Sequence, residues 1–123
     1  MRVPRYVYFI RPVGMHGPIK IGVSTVPRDR LMALAYWSPI ALELIATTPA
    51  GSIEEAFIHR CFSDLHSHHE WFHVSPRLLE AIERILVGET IEDACAGLTV
   101  GPSIKKTAKG AKYISKRKRG PDA

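Results

Sequence analysis

No stretch of this sequence approaches the roughly 20 consecutive apolar residues that a bilayer-spanning helix needs, so no membrane helix is expected. Met1 to Arg11 mixes arginines with aromatic and β-branched residues. It has neither the apolar centre nor the small-residue cleavage site of a secretory signal, which predicts a cytoplasmic protein. Cysteine is scarce: Cys61 and Cys95 are the only two, far apart and in no CxxC pair. That spacing supports neither a disulfide framework nor a cysteine zinc site, and both are expected as buried thiols. Acid is almost missing from residues 98–123, which hold eight Lys and Arg against Asp122 alone, a balance of +7. Residues 1–97 carry nine basic and eleven acidic side chains, or −2, so the net +5 of the chain resides in its tail.

The 123 residues suffice for one domain with one modest core. We read residues 1–97 as that domain and 98–123 as a basic arm with too little apolar content to fold alone. Lys105, Lys106, Lys109, Lys112, Lys116, Arg117, Lys118 and Arg119 would hold nucleic acid through its phosphates, because each neutralised phosphate releases counterions. Tyr113, the arm's one aromatic, offers a single stacking group, so backbone contact without sequence readout is expected.

Tyr6 to Ile10 is rich in aromatic and β-branched residues and stops at Pro12, which reads as a strand. After a turn with Gly14, Gly17 and Pro18, Ile19, Ile21 and Val23 alternate with Lys20 and Gly22, the period of a half-buried second strand pairing as a hairpin. Ser24 or Thr25 would cap a helix with Pro27 in its first turn and Leu31, Leu34 and Ala35 on one face, ending near Trp37. Ala41 to Thr48 alternates as a third strand. Ser52 would open a second helix with Glu55 completing a capping box, running to about Asp64. A polar loop over residues 63–69 leads to the extended segment Glu70 to Val74. Ser75-Pro76 then starts a third helix through Leu78, Ile82 and Ile85, and a helical turn over Ile91 to Ala96 precedes the arm. The order is ββαβα, then β and α.

A hairpin with Tyr6-Val7-Tyr8 on one strand and Lys20-Ile21-Gly22 on the other, followed by a helix carrying Arg30-Leu31, resembles the GIY-YIG nuclease family. The likeness is closest to a phage and bacterial subgroup with Lys-Ile-Gly as second motif, then Glu-x-x-x-His on a later helix and Glu-Trp-Phe beyond it. Here these are Glu55 to His59 and Glu70-Trp71-Phe72. Tyr6 stands where the first motif has glycine, Lys20 where the second has tyrosine, and His69 where a glycine often precedes Glu-Trp-Phe. Over residues 6 to 86 the resemblance implies an α+β fold with a small three-stranded antiparallel sheet flanked by helices. It also implies metal-dependent hydrolysis of DNA phosphodiesters with one divalent cation, Mg2+ or Mn2+.

Phosphodiester hydrolysis needs a proton acceptor for the attacking water, a cation, and donors on the phosphate oxygens. Carried over from the family, Tyr8 would accept the proton, and Lys20 across the hairpin would lower its pKa or grip the phosphate. Arg30 would fork onto two phosphate oxygens. Glu55 would hold the metal, with His59 one helical turn on as a further catalytic residue. A helical wheel favours Glu54 as the inward carboxylate, whereas the spacing to His59 favours Glu55. Taken singly, each residue has an ordinary reading as a sheet tyrosine or a surface charge; it is their order along the chain that points to a site. His66, His68, His69 and His73 match no standard zinc spacing and read as a solvated loop, while Trp71 and Phe72 read as core anchors. The alternative function is a nucleic-acid-binding module of the same fold that no longer cuts. No separate specificity domain is visible, which leaves room for a protein partner that delivers the enzyme to its target.

Overall fold

The structure, a computed structural model, describes residues 3–98. All eight of the lysines and arginines expected to hold nucleic acid lie outside the described residues, while Leu98, expected to begin the arm, packs against the core.

Three long strands form where expected: β1 (Tyr6–Pro12), β2 (Ile19–Ser24) and β3 (Leu42–Pro49). β1 lies between the other two, antiparallel to both, with Tyr8 opposite Gly22 on one side and Thr47 on the other. Helix α1 (Pro27–Trp37) joins β2 to β3, and α2 (Ser52–Cys61) follows β3. The polar segment after α2 is not a loop. It forms a short 3-10 turn (Ser63–Leu65) and then β4 (His66–His68), which pairs with β5 (Trp71–Phe72). β5 in turn pairs with β2 through Ile19 and Lys20. The sheet therefore has five strands in the order β3-β1-β2-β5-β4, and the expected three-stranded sheet is overturned, although the α+β class stands. β5 lies inside the extended segment expected over Glu70 to Val74, whereas β4 stands where a loop was expected; both pair because the edge of β2 supplies backbone partners.

Val7, Phe9, Ile19, Ile21 and Phe72 share one face of the sheet by their register. They form the core with Ile58 and Phe62 from the α2 end, and with Leu78, Ala81, Ile82 and Ile85 of α3 (Pro76–Leu86). Ser75 caps α3 by accepting from the Leu78 amide, and Pro76 occupies its first turn, as the sequence predicts. The short α4 (Ile91–Ala94) closes the end of this layer, and Cys61 and Cys95 are free buried thiols within it. Burial of the core side chains, at about 1.5–3 kcal/mol each, is what holds the α2–α4 layer to the sheet.

The opposite face carries Tyr8, Ile10 and Gly22, all buried, and α1 packs across it on β1, β2 and β3. The helix itself buries no residue completely: Leu31 and Leu34 are half-buried, while Met32, Tyr36 and Trp37 are exposed. No helix of the described residues is long and apolar enough to cross a membrane.

Candidate active site

The site begins with a contact inside the hairpin. Tyr8 faces Gly22 across the β1–β2 pair, and its ring lies so close over the glycine that a Cβ there would stand 2.5 Å from Cζ and 3.0 Å from Cε2. Gly22 is thus required by close approach and not by its backbone angles. It lets the phenol extend across β2 toward the strand's outer edge. β5 covers only the first part of that edge, since Ile21 N–H already donates to the carbonyl of Glu70, just before β5.

At this edge, side chains from four segments converge. Lys20 Nζ meets Glu70 Oε1 at 2.6 Å, and the lysine side chain is only 12% exposed, so its position is not that of a solvated surface residue. Glu55 and His59 project from α2. Nε2 of His59 lies 2.9 Å from the carbonyl oxygen of Ile21, so it is the hydrogen-bearing nitrogen, and 3.8 Å from Glu55 Oε2. The ring also packs edge-on against Phe72, 4.9 Å between centroids. His59 thereby ties α2 to the sheet edge, and its Nε2 is not free to take a proton. Arg30, in the first half of α1, is exposed and makes no ion pair among the described residues, yet its charge is felt at the Tyr8 hydroxyl.

The question of two adjacent glutamates is answered by the backbone. The α2 N-cap is Gly51, one residue earlier than expected, and its N–H donates to Glu54 Oε1 at 2.9 Å. Glu54 therefore caps the helix, where the sequence analysis gave that task to Glu55. Glu55 instead turns beside His59, with its Oε2 buried and without a hydrogen-bond partner among the described residues. Burial raises its pKa above the usual carboxylate range. The negative charge of Glu70 raises it further, while the charges of His59 and Lys20 oppose the shift.

Tyr8 departs most from expectation. Its phenol is pushed up to about 12, first by burial, then by the negative charge of Glu70 and, more weakly, of Glu55. Arg30, not Lys20, is the cation that pulls the other way. Lys20, expected to tune Tyr8 or grip the phosphate, is paired with Glu70. At neutral pH the Tyr8 phenol holds its proton. Glu70, inside a motif the sequence analysis quoted but gave no task, is the charge that links Lys20, Glu55 and Tyr8. The missed signal was its sign: a half-buried acid beside a lysine-bearing strand needs a partner. Glu70→Gln should lower the Tyr8 pKa below 12 while burial keeps it above 10, because a neutral amide no longer opposes the phenolate. Titration of the Tyr8 Cζ resonance measures this, and an unmoved midpoint would remove Glu70 from the site.

The remaining sequence candidates sit elsewhere. His66, His68, His69 and His73 are exposed on and around β4, and among the described residues no group of three His, Cys, Asp or Glu side chains is placed to hold a metal. His69 has a φ of 52°, the left-handed conformation that the glycine common at this point of the resemblance adopts without strain. Phe72 is a core anchor as expected, while Trp71 is half-buried with Lys20 Nζ 6.0 Å from its ring.

Residues 5–87 match the family model described as the T5orf172 domain, a span that includes every strand and each residue of the edge cluster. No curated protein and no solved structure matches the chain. With two thirds of its length in that match, including all the elements that build the site, the chain belongs to the T5orf172 domain family.

Proposed function

We propose that this protein is a metal-dependent endonuclease of the GIY-YIG type that hydrolyses DNA phosphodiester bonds, acting in the cytoplasm. The observation that carries the reading is the gathering of Tyr8, Lys20, Glu55 and Glu70 at one strand edge, within reach of the Arg30 charge. Glu55 suits a hard divalent cation, because its buried Oε2 has no other partner. With no cage of three ligating side chains among the described residues, Mg2+ or Mn2+ held there would keep several waters. Such a cation would supply positive charge to the scissile phosphate.

The chain's own groups provide the rest. Arg30, exposed and without an ionic partner among the described residues, presents its guanidinium fork to the phosphate oxygens. Lys20 balances Glu70 and keeps the cluster from accumulating uncompensated negative charge. Tyr8 is held protonated by burial and two carboxylates. Neutralising those carboxylates removes two of the three influences that raise it, so cation binding and phenol deprotonation favour each other. His59 orients the helix that bears Glu55. The basic arm would add phosphate contacts without reading sequence, and a separate protein would supply target choice.

A nicking assay on supercoiled plasmid tests this. Relaxed circles should form with Mg2+ or Mn2+ and vanish with chelator, and equal nicking without metal would reject the assignment. The second reading, a DNA-binding module that does not cut, is favoured by the high pKa of Tyr8. Plasmid retention without nicking under any divalent cation would establish it.

A further inference from the structure

A polar recess of about 260 Å³ lies beside the edge cluster, lined by Arg5, Val23, Ser24, Thr25 and Arg30. It shares Arg5 and Thr25 with a broader depression of about 800 Å³, whose walls include Val3, Pro4, Ala50 and Ile53. Two guanidinium groups and two hydroxyls thus face a small space that opens onto a larger, mainly apolar one.

Arg5 and Arg30 are both exposed, and neither is neutralised by an ion pair among the described residues. Arg5 is steered by a single neutral contact, Nη1 donating to Ser52 Oγ at 3.2 Å. Ser24 Oγ accepts from the Val26 amide, which leaves its own hydrogen to donate. Every polar side chain in the recess therefore offers a donor, and none is acidic. The N-terminus of α2 in the neighbouring depression is a poor competitor for an anion: Glu54 already takes the Gly51 amide, and Glu54 and Glu55 both sit in the first turn. Charge places an anion between the two arginines. The apolar walls, with Ile53 81% and Val3 64% exposed, suit a flat uncharged group next to that anion.

We propose that this double depression is a nucleotide subsite: Arg5, Ser24 and Thr25 hold a second backbone phosphate of the DNA strand in the recess, next to the scissile phosphate that Arg30 grips, and the apolar depression beyond Arg5 takes the adjoining sugar and base. The proposal rests on the nuclease reading for the direction of the strand, because Arg30 lines the recess and its charge is felt at the Tyr8 hydroxyl. It gives Arg5, which the family motifs do not include, a part in gripping substrate.

Binding of the full chain to a short fluorescein-labelled DNA duplex, without divalent cation and over a range of salt, tests it. Each phosphate contact contributes about 0.9 to the slope of log affinity against log salt. Arg5→Ala should weaken binding about tenfold at low salt and lower the slope by about that one contact. Arg5→Lys should restore the slope, since the charge returns. Ile53→Ser should weaken binding with no change of slope. An Arg5→Ala slope equal to wild type overturns the phosphate subsite, and unchanged affinity of Ile53→Ser overturns its nucleoside half. Both results leave the nuclease reading standing if plasmid nicking persists. Conversely, a lowered Arg5→Ala slope in a protein that never nicks sinks the nuclease reading and keeps the subsite.

Discussion

Arg30→Ala and Glu55→Ala should each slow single-turnover nicking of plasmid by roughly 10²–10³-fold, the usual effect of removing one preorganised charge from a polar transition state. Arg30 has no structural partner to lose, so its removal should leave the melting temperature nearly unchanged. Affinity for DNA should fall far less than the rate, because an exposed arginine adds one phosphate contact to binding but forked charge to the transition state. Arg30→Lys should recover little of the rate, since an ammonium cannot reproduce two parallel hydrogen bonds. The two variants should separate on titration with Mg2+: excess metal partly rescues Glu55→Ala and does nothing for Arg30→Ala. Rates within threefold of wild type for both would remove the edge cluster from catalysis.

Gly22→Ala should have the largest effect on structure of any single-methyl change in the site. The added Cβ would occupy the space of the Tyr8 phenol, and β1 cannot retreat, because it is paired with β2 on one side and β3 on the other, while β2 is tied to β1 across Gly22 itself. The ring must leave its place, at a cost of about 1–3 kcal/mol for an overpacked position, seen as a fall of several degrees in the thermal midpoint. Nicking should be lost with it. In a Tyr8→Ala background the same substitution should cost much less, so that the double-mutant cycle shows strong coupling between the two positions. Additive losses would mean that the ring does not lie over Gly22.

Legibility of the fold followed the length of each pattern. β1 is marked by a run of aromatic and β-branched residues, β2 and α3 by apolar residues at a clear period, and all three form within a residue or two of the expected limits. The extended segment at β5 was legible, but β4 is too short to carry a period, and both join the sheet only because β2 has a free edge. That is why five strands stand where three were expected. Helix α1 shows the converse failure: Leu31, Leu34 and Ala35 have helical spacing, but the helix lies shallowly over Tyr8 and Ile10 and buries none of its own residues completely. In the site, the positions of Tyr8, Lys20, Arg30 and Glu55 follow from motif order, but their pairings do not. Which cation faces the phenol depends on where Glu70 lies, and Glu70 is fifty residues from its partner Lys20.

The sequence alone determined the α+β class, the hairpin, the separation of a basic arm from a slightly acidic domain, and the set of residues with chemistry to offer. Those follow from local period, composition and residue type, which need no knowledge of distant neighbours. Tertiary structure alone decided the width of the sheet, the division of labour between Glu54 and Glu55, and the pairing of Lys20 with Glu70. Each of these depends on groups far apart in the chain competing for the same backbone edge or the same charge, and that competition is resolved only when the chain has folded.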